Sequence, residues 1–318
     1  METELNEQPE NQPGVLNGAQ TVAPTVDSNT RRAPHRHVSP ATCASCGAAA
    51  DSNGYEATAP SFVFAIGRVE MRFPTLAVEK EFAQATSRAD TKGLTDNRAI
   101  HAVLSQPTNR YILRQVCWVF TIEGLETYLL VPRDPADYDQ LLEAVRPHPS
   151  PLDIDVVVGM RGPIAPPEMC NGLMVPIVAF DQIYSFDRDA LIGALPGRKG
   201  TRGAKSKDGD TAAAEELFDR FMLLADNAGS TDEHRALNYL AVRYPAVYET
   251  VADAFERDSS LTSVDVQPSS LSATRNVVDV IFSFTNRKTD VVDKFFTRVD
   301  VTEEFPFLVT KLSPYFDR

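Results

Sequence analysis

The first regular every-other-residue spacing of large apolar positions begins at Phe62. In SFVFAIGRVEMRFP (61–74), Phe62, Phe64 and Ile66 share one phase, and Val69, Met71 and Phe73 take up the other after a slip at Gly67–Arg68. That pattern predicts a strand with a bulge at the glycine. PTLAVEKEFAQATSRA then gathers Leu76, Phe82 and small alanines on one side and reads as a helix, as does TDNRAIHAVLSQ (95–106), with Thr95 placed to cap and Ile100, Val103 and Leu104 on one face. YILRQVCWVFTIEGLETYLLVPRD (111–134) reads as two strands around a turn at Glu123–Gly124. Asp134 followed by Pro135 opens a further helix, because proline at the first helical position loses no needed N–H. DIDVVVGMRG and GLMVPIVAFDQIYSF are strand-like, and a short helix is expected near DRDALIGAL.

Residues 196–210 are rich in glycine and lysine and carry no large apolar residue, so a flexible linker is expected there. Beyond it, helical periodicity runs through TAAAEELFDRFMLLADNAG, with Gly229 as its stop, and through TDEHRALNYLAVRYPAVYETVADAFERD, broken near Pro245. The last forty residues are strand-rich, with a hairpin turn at Asn286–Arg287–Lys288. Strands at both ends with helices between predict an α+β fold, with mixed or antiparallel sheet segments and a central helical region. Residues 1–60 show no apolar period and are expected to form a disordered tail. The remaining 61–318 divides at the linker into 61–195 and 211–318.

Charge changes the picture of partners. The 318 residues carry a formal net charge of −13, which disfavours nucleic acid and anionic membrane surfaces. No apolar run approaches membrane-spanning length, and METELNEQPENQPG is acidic where a signal peptide is basic, so a cytoplasmic setting is expected. There structural disulfides are disfavoured, which turns attention to Cys43, Cys46, Cys117 and Cys170, the whole cysteine complement. Cys43 and Cys46, in ATCASC, have the spacing of a zinc knuckle and would need two partners. Cys117 and Cys170 complete a four-thiolate set, and His35 or His37 is the alternative fourth ligand. Such a site leaves zinc no open position, so the metal would be structural and tie the tail to the sheet. The competing readings are that Cys117 and Cys170 are small buried hydrophobes, or that CASC is a redox pair, which lacks the usual strand-then-helix context.

Other chemistry is sparse. Arg161 and Glu168 lie in GMRGPIAPPEMCNG, a glycine- and proline-rich loop of the kind that carries binding residues, and with Asp181 they form the candidate binding set. Glu123 and Glu126 are further candidates for a polar cleft with Arg161 and Glu168. His101 and His234 each stand alone in a helix, where a surface role is the ordinary one. There is neither a phosphate-binding P-loop nor a GxGxxG.

Five stretches, AIGRVEMRFPTLAVEKEFAQA, CWVFTIEGLETYLLVPRDPAD, RGPIAPPEMCNGLMVPIVAFDQIYSFD, DNAGSTDEHRALNYLAVRYPAVY and VDVTEEFPFLVTKLSPYFDR, together resemble the C-terminal domain of the cyanobactin maturation protease PatG, a domain also seen at the end of PatA. The resemblance covers about residues 61–318. In the full-length family proteins this domain of unknown function follows a subtilisin-like protease that acts on a ribosomally made precursor peptide. The Gly-Thr-Ser-x-Ala, His-Gly-Thr and Asp-[Ser/Thr]-Gly segments of that protease do not occur here, so its activity is not implied. The expectation is a non-enzymatic accessory protein that binds a precursor peptide or a maturation enzyme. Alternatives are an enzyme acting on peptides through Arg161, Glu168 and Asp181, or an assembly module that dimerises through strand edges of the C-terminal half.

Overall fold

The computed structural model describes residues 61–89, 91, 94–150, 153–187, 217–219, 227–271 and 274–316. The first strand, β1 (Phe62–Arg72), is continuous, and the predicted slip at Gly67–Arg68 is a change of partner. Up to Gly67 it pairs with β4 (Asp153–Ile164), and from Arg68 onward with β2 (Cys117–Ile122). A β-carbon on Gly67 would lie 2.3 Å from the Thr121 carbonyl oxygen, so only glycine lets the strand turn this corner. Between β1 and β2 run α1 (Leu76–Arg88), capped by the Thr75 hydroxyl, α2 (Asp96–Leu104) and the short α3 (Arg110–Leu113). The sequence pattern opens a strand at 111–113; these residues are helical, and Trp118 fastens them by donating its indole N–H to the Leu113 carbonyl at 3.1 Å.

The turn between β2 and β3 (Leu125–Pro132) has both central residues at positive φ, Glu123 at 52° and Gly124 at 79°, as a tight two-residue hairpin requires. Asp134 accepts from the Ala136 amide at 2.8 Å, opening a 3-10 turn at Pro135–Asp137 and then α4 (Tyr138–Ala144). β5 (Pro176–Asp187) pairs antiparallel with β4 and parallel with β3, which closes a five-stranded barrel in the order β1-β2-β3-β5-β4. That order, with a helix between the third and fourth strands, is the topology of the OB barrel. Val63, Ala65, Trp118, Phe120, Val157 and Phe180 fill its interior, and Leu141 and Leu142 of α4 pack into it.

The alternate residues of β1 and β4 are buried too. Phe64, Ile66, Val156 and Val158 join a second core with α5 (Asp232–Arg243), α6 (Ala246–Glu256) and a four-stranded antiparallel sheet. Burial on both faces explains why these strands read as unbroken apolar runs. The sheet is a meander of β6 (Ser259–Pro268), β7 (Val277–Asn286), β8 (Val292–Asp300) and β9 (Phe307–Pro314). Its β7–β8 turn falls at the predicted Asn286–Lys288, and the break between α5 and α6 falls at Pro245.

Before the corner at Gly67, the edge of β1 that β2 does not reach is closed by the segment ahead of α5. Phe64 donates its amide to the Gly229 carbonyl at 2.9 Å, and its carbonyl accepts from the Asn238 side chain at 2.8 Å. Asn238 is 1% exposed and is held by the side chain of Asn227 at 2.7 Å. Gly229, at φ +68°, lies so close that a β-carbon there would be 2.4 Å from the Phe64 carbonyl oxygen. The predicted linker 196–210, the helix near DRDALIGAL and the tail 1–60 lie outside the described residues.

Candidate functional site

The connection between β4 and β5, residues 165–175, folds back over the outer face of β2 and β3. Ala165 and Cys170 bury there against Cys117, Val119 and Leu129, forming a small third core flanked by Leu173, Val175 and Ile177. Cys117 and Cys170, 53 residues apart in sequence, are joined as a disulfide with their α-carbons 5.8 Å apart. The turn itself needs unusual backbone: Asn171 at φ 45° and Gly172 at 87°.

Where this folded-over turn meets the end of β1, a cleft of about 310 Å³ remains, lined by Arg72, Phe73, Glu126, Cys170, Asn171 and Leu173. The Arg72 guanidinium is clamped between Glu126 and Glu70, the latter 3.3 Å away, and Glu70 also accepts from Thr121 at 3.2 Å. Phe73 stacks on Phe82 of α1 with ring centroids 5.4 Å apart, which fixes the apolar wall. In an OB barrel ligands lie on the second and third strands between the β1–β2 and β4–β5 connections, and this cleft is bounded by the same elements. Its lining pairs one cation with carboxylates, so a polyanion gains little here, whereas a peptide finds an apolar wall, an amide side chain and acceptors for a cationic group.

Asp181 sits elsewhere, at the other end of β3. It is the extra residue of a bulge in β5, between the pairs Gly159–Phe180 and Val158–Gln182. Arg133 Nη1 lies 2.5 Å from its carboxylate and 3.2 Å from that of Glu304, in the connection between β8 and β9. Burial, followed by the hydrogen bond and charge of Asp181, pushes the Glu304 carboxyl up to about 7, against the opposing pull of Arg133 and Arg235. Arg235, 3% exposed, donates to the carbonyls of Val301 at 2.6 Å and of Glu303 and Glu304, and its guanidinium stacks 5.3 Å from the centre of the Phe62 ring.

The connection that carries Glu304, and the helix that carries Arg235, lie in the part of the chain that a family model matches. Residues 204–315 match the PatG C-terminal family. A solved structure described as "PatG Domain of Unknown Function" has the same fold, with a TM-score of 0.65 and 21% identity over 80% of this chain and 98% of its own. Among curated proteins none matches. The PatG C-terminal match therefore takes in α5, α6 and the four-stranded sheet, while the fold likeness extends to the barrel.

The candidate residues scatter over this PatG-type fold. Arg161 is exposed on β4 opposite Val178, and Glu168 is exposed in the 167–172 turn. No hydrogen bond or ion pair among the described residues joins Arg161, Glu168 and Asp181. Glu126 does line a cleft, with Arg72 rather than with Arg161. The roles of Arg72 and Glu304 are not visible in the sequence because one deciding partner of each, Glu126 for Arg72 and Arg133 for Glu304, lies far along the chain; Glu304 is 171 residues from Arg133. Of the four cysteines, Cys117 and Cys170 are together, and Cys43 and Cys46 lie outside the described residues. Among the described residues no three of His, Cys, Asp and Glu gather as a metal set, and no helix is long and apolar enough to cross a membrane.

Proposed function

We propose that the chain is a non-enzymatic binding module of a cyanobactin-like ribosomal peptide pathway, cytoplasmic, and that its barrel cleft holds an extended segment of a precursor peptide or of a partner enzyme. The observation that carries the reading is the cleft between the two connections and β3, the place where barrels of this order hold ligands, with its pairing of Phe73 and Leu173 with Arg72, Glu126 and Asn171. The net charge of −13 and the carboxylates beside Arg72 favour a peptide with a basic residue over nucleic acid. The test is fluorescence anisotropy with labelled synthetic octapeptides, one basic and apolar and one with its charges reversed. The basic peptide should bind, and Glu126→Gln should weaken it about tenfold, the loss of one charge-assisted contact. Equal binding of both peptides, or an unchanged Kd in the variant, would overturn the reading.

Zinc belongs to the same proposal. In the reduced chain Cys117 and Cys170 would supply two of the four thiolates, and Cys43 and Cys46 the others, giving a closed structural site. What supports this is the proximity of Cys117 and Cys170 in a chain whose other two cysteines form a CxxC. A disulfide offers no thiolate, so metal and disulfide are alternative states of one pair. Native mass spectrometry of the reduced chain should show one zinc per chain, lost in Cys117→Ser; a metal-free reduced chain refutes the site.

A further inference from the structure

Beside the shared apolar core, the connection between β8 and β9 meets the barrel where two carboxyl groups compete for one cation. Asp181 comes from the β5 bulge, Glu304 from the connection 301–306, and both reach Nη1 of Arg133, at 2.5 and 3.2 Å. With both ionised the trio carries an excess negative charge, and Oε1 of Glu304 is buried with no hydrogen-bond partner among the described residues. Glu304 has little room to withdraw, because Arg235 grips the backbone carbonyls of Val301, Glu303 and Glu304 around it. Arg235 is itself compensated by Asp232, 3.6 Å away on α5. The charged groups around Glu304 are thus Arg133 after β3, Asp181 on β5, Arg235 and Asp232 on α5, and its neighbour Glu303. A single proton held between Asp181 and Glu304 turns one acceptor into a donor, removes the like-charge repulsion and satisfies the pair.

We propose that Asp181 and Glu304 form a proton-operated latch that fastens the β8–β9 connection to the barrel when they share a proton and, when both are ionised, leaves it looser and held by Arg235. The direction follows from the environment: burial and the Asp181 charge raise Glu304 to about 7, so the latch holds below neutrality and loosens above it. Phe305 is 46% and Phe307 41% exposed beside this connection, so loosening would free an apolar strand end. The latch stands on residues apart from the cleft and does not depend on what the cleft binds.

The experiment is hydrogen exchange of the full chain from pH 5.5 to 8.5, following the amides of 301–305 and correcting for the intrinsic pH dependence of exchange. Corrected exchange should rise about tenfold through neutrality in the wild type, the opening that loss of one shared proton permits. In Glu304→Gln, a neutral donor of similar shape, it should stay slow and flat. An equal rise in the variant, or none in the wild type, overturns the latch. Should the variant fail to fold, carbon-13 titration of the wild-type Glu304 carboxyl decides: a midpoint near neutrality supports the latch, and one in the ordinary carboxylate range refutes it.

Discussion

Cutting the Cys117–Cys170 bridge is the perturbation whose size the structure fixes best. The bridge closes a loop with a sequence separation of 53 residues. Loop-closure entropy for that length corresponds to about 4 kcal/mol of stability at 25 °C, gained by restricting the unfolded chain. For a protein of this size each kcal/mol moves Tm by about 2–4 °C, so reduction should lower Tm by about 10 °C. The assay is urea and thermal unfolding of the oxidised chain, of the same chain in a phosphine reductant, and of the Cys117→Ser, Cys170→Ser double variant, each with a chelator present so that bound metal does not replace the bridge. The reduced chain and the double variant should both lose the bridge's contribution, and the double variant should lose about 1–3 kcal/mol more, because serine hydroxyls replace sulfur in the small apolar core around Val119 and Leu129. If oxidised and reduced chains unfold at the same midpoint, the bridge is not formed in solution and the reasoning from loop length fails.

Gly229→Ala should destabilise by about 2–4 kcal/mol in chemical unfolding, since the new methyl meets backbone at 2.4 Å in a left-handed conformation, and a loss below about 1 kcal/mol would mean the Gly229–Phe64 contact is not tight. Asn238→Ala should cost about 2–3 kcal/mol by leaving the buried Phe64 carbonyl without its donor, with Asn238→Asp no better, because an aspartate offers no N–H. The contribution of Glu304 to stability should fall as pH rises from 4.5 to about 7 and change little above, because a carboxyl whose folded pKa is raised binds its proton more tightly in the native state. Glu304→Gln should remove at most about 3 kcal/mol of that slope in pH-dependent urea titrations, and an unchanged slope would assign it to other groups.

Local chemistry was legible where a single residue decides the backbone. Glycine at 124, proline at 135 and 245 and the run at 286–288 each mark the ends of elements where they were expected. The α+β class also followed from the order of patterns. Barrel closure was not visible, because the parallel β3–β5 pair joins residues about fifty apart and leaves no trace in local periodicity. β6 was missed for a different reason: as a sheet edge it carries Ser263, Asp265 and Gln267 on its outer face, which dilutes the apolar signal. The sequence puts Cys117 and Cys170 in a four-thiolate zinc set and disfavours disulfides, so their disulfide is not anticipated there, and neither is the convergence of Arg133, Asp181 and Glu304, since three common charged residues in unrelated segments carry no spacing rule.

The corner at Gly67 also sets a timetable for synthesis. β1 is the first of the described strands off the ribosome, yet its free edge is completed by Gly229 and by Asn238, the latter 174 residues later than Phe64. All five barrel strands have emerged about fifty residues before Asn238 does, a wait of about 3–10 s at ordinary elongation rates. During that interval a nascent barrel exposes the Phe64 and Ile66 side of β1 and an open strand edge, the features that invite mispairing with a neighbouring nascent chain. The meander β6–β9, whose pairings are all between consecutive strands, closes quickly once made. The final fastening of the oldest strand therefore waits on the youngest third of the chain, and a truncation that spares every barrel strand but removes α5 would yield a barrel that is complete in strands and unsealed at its seam.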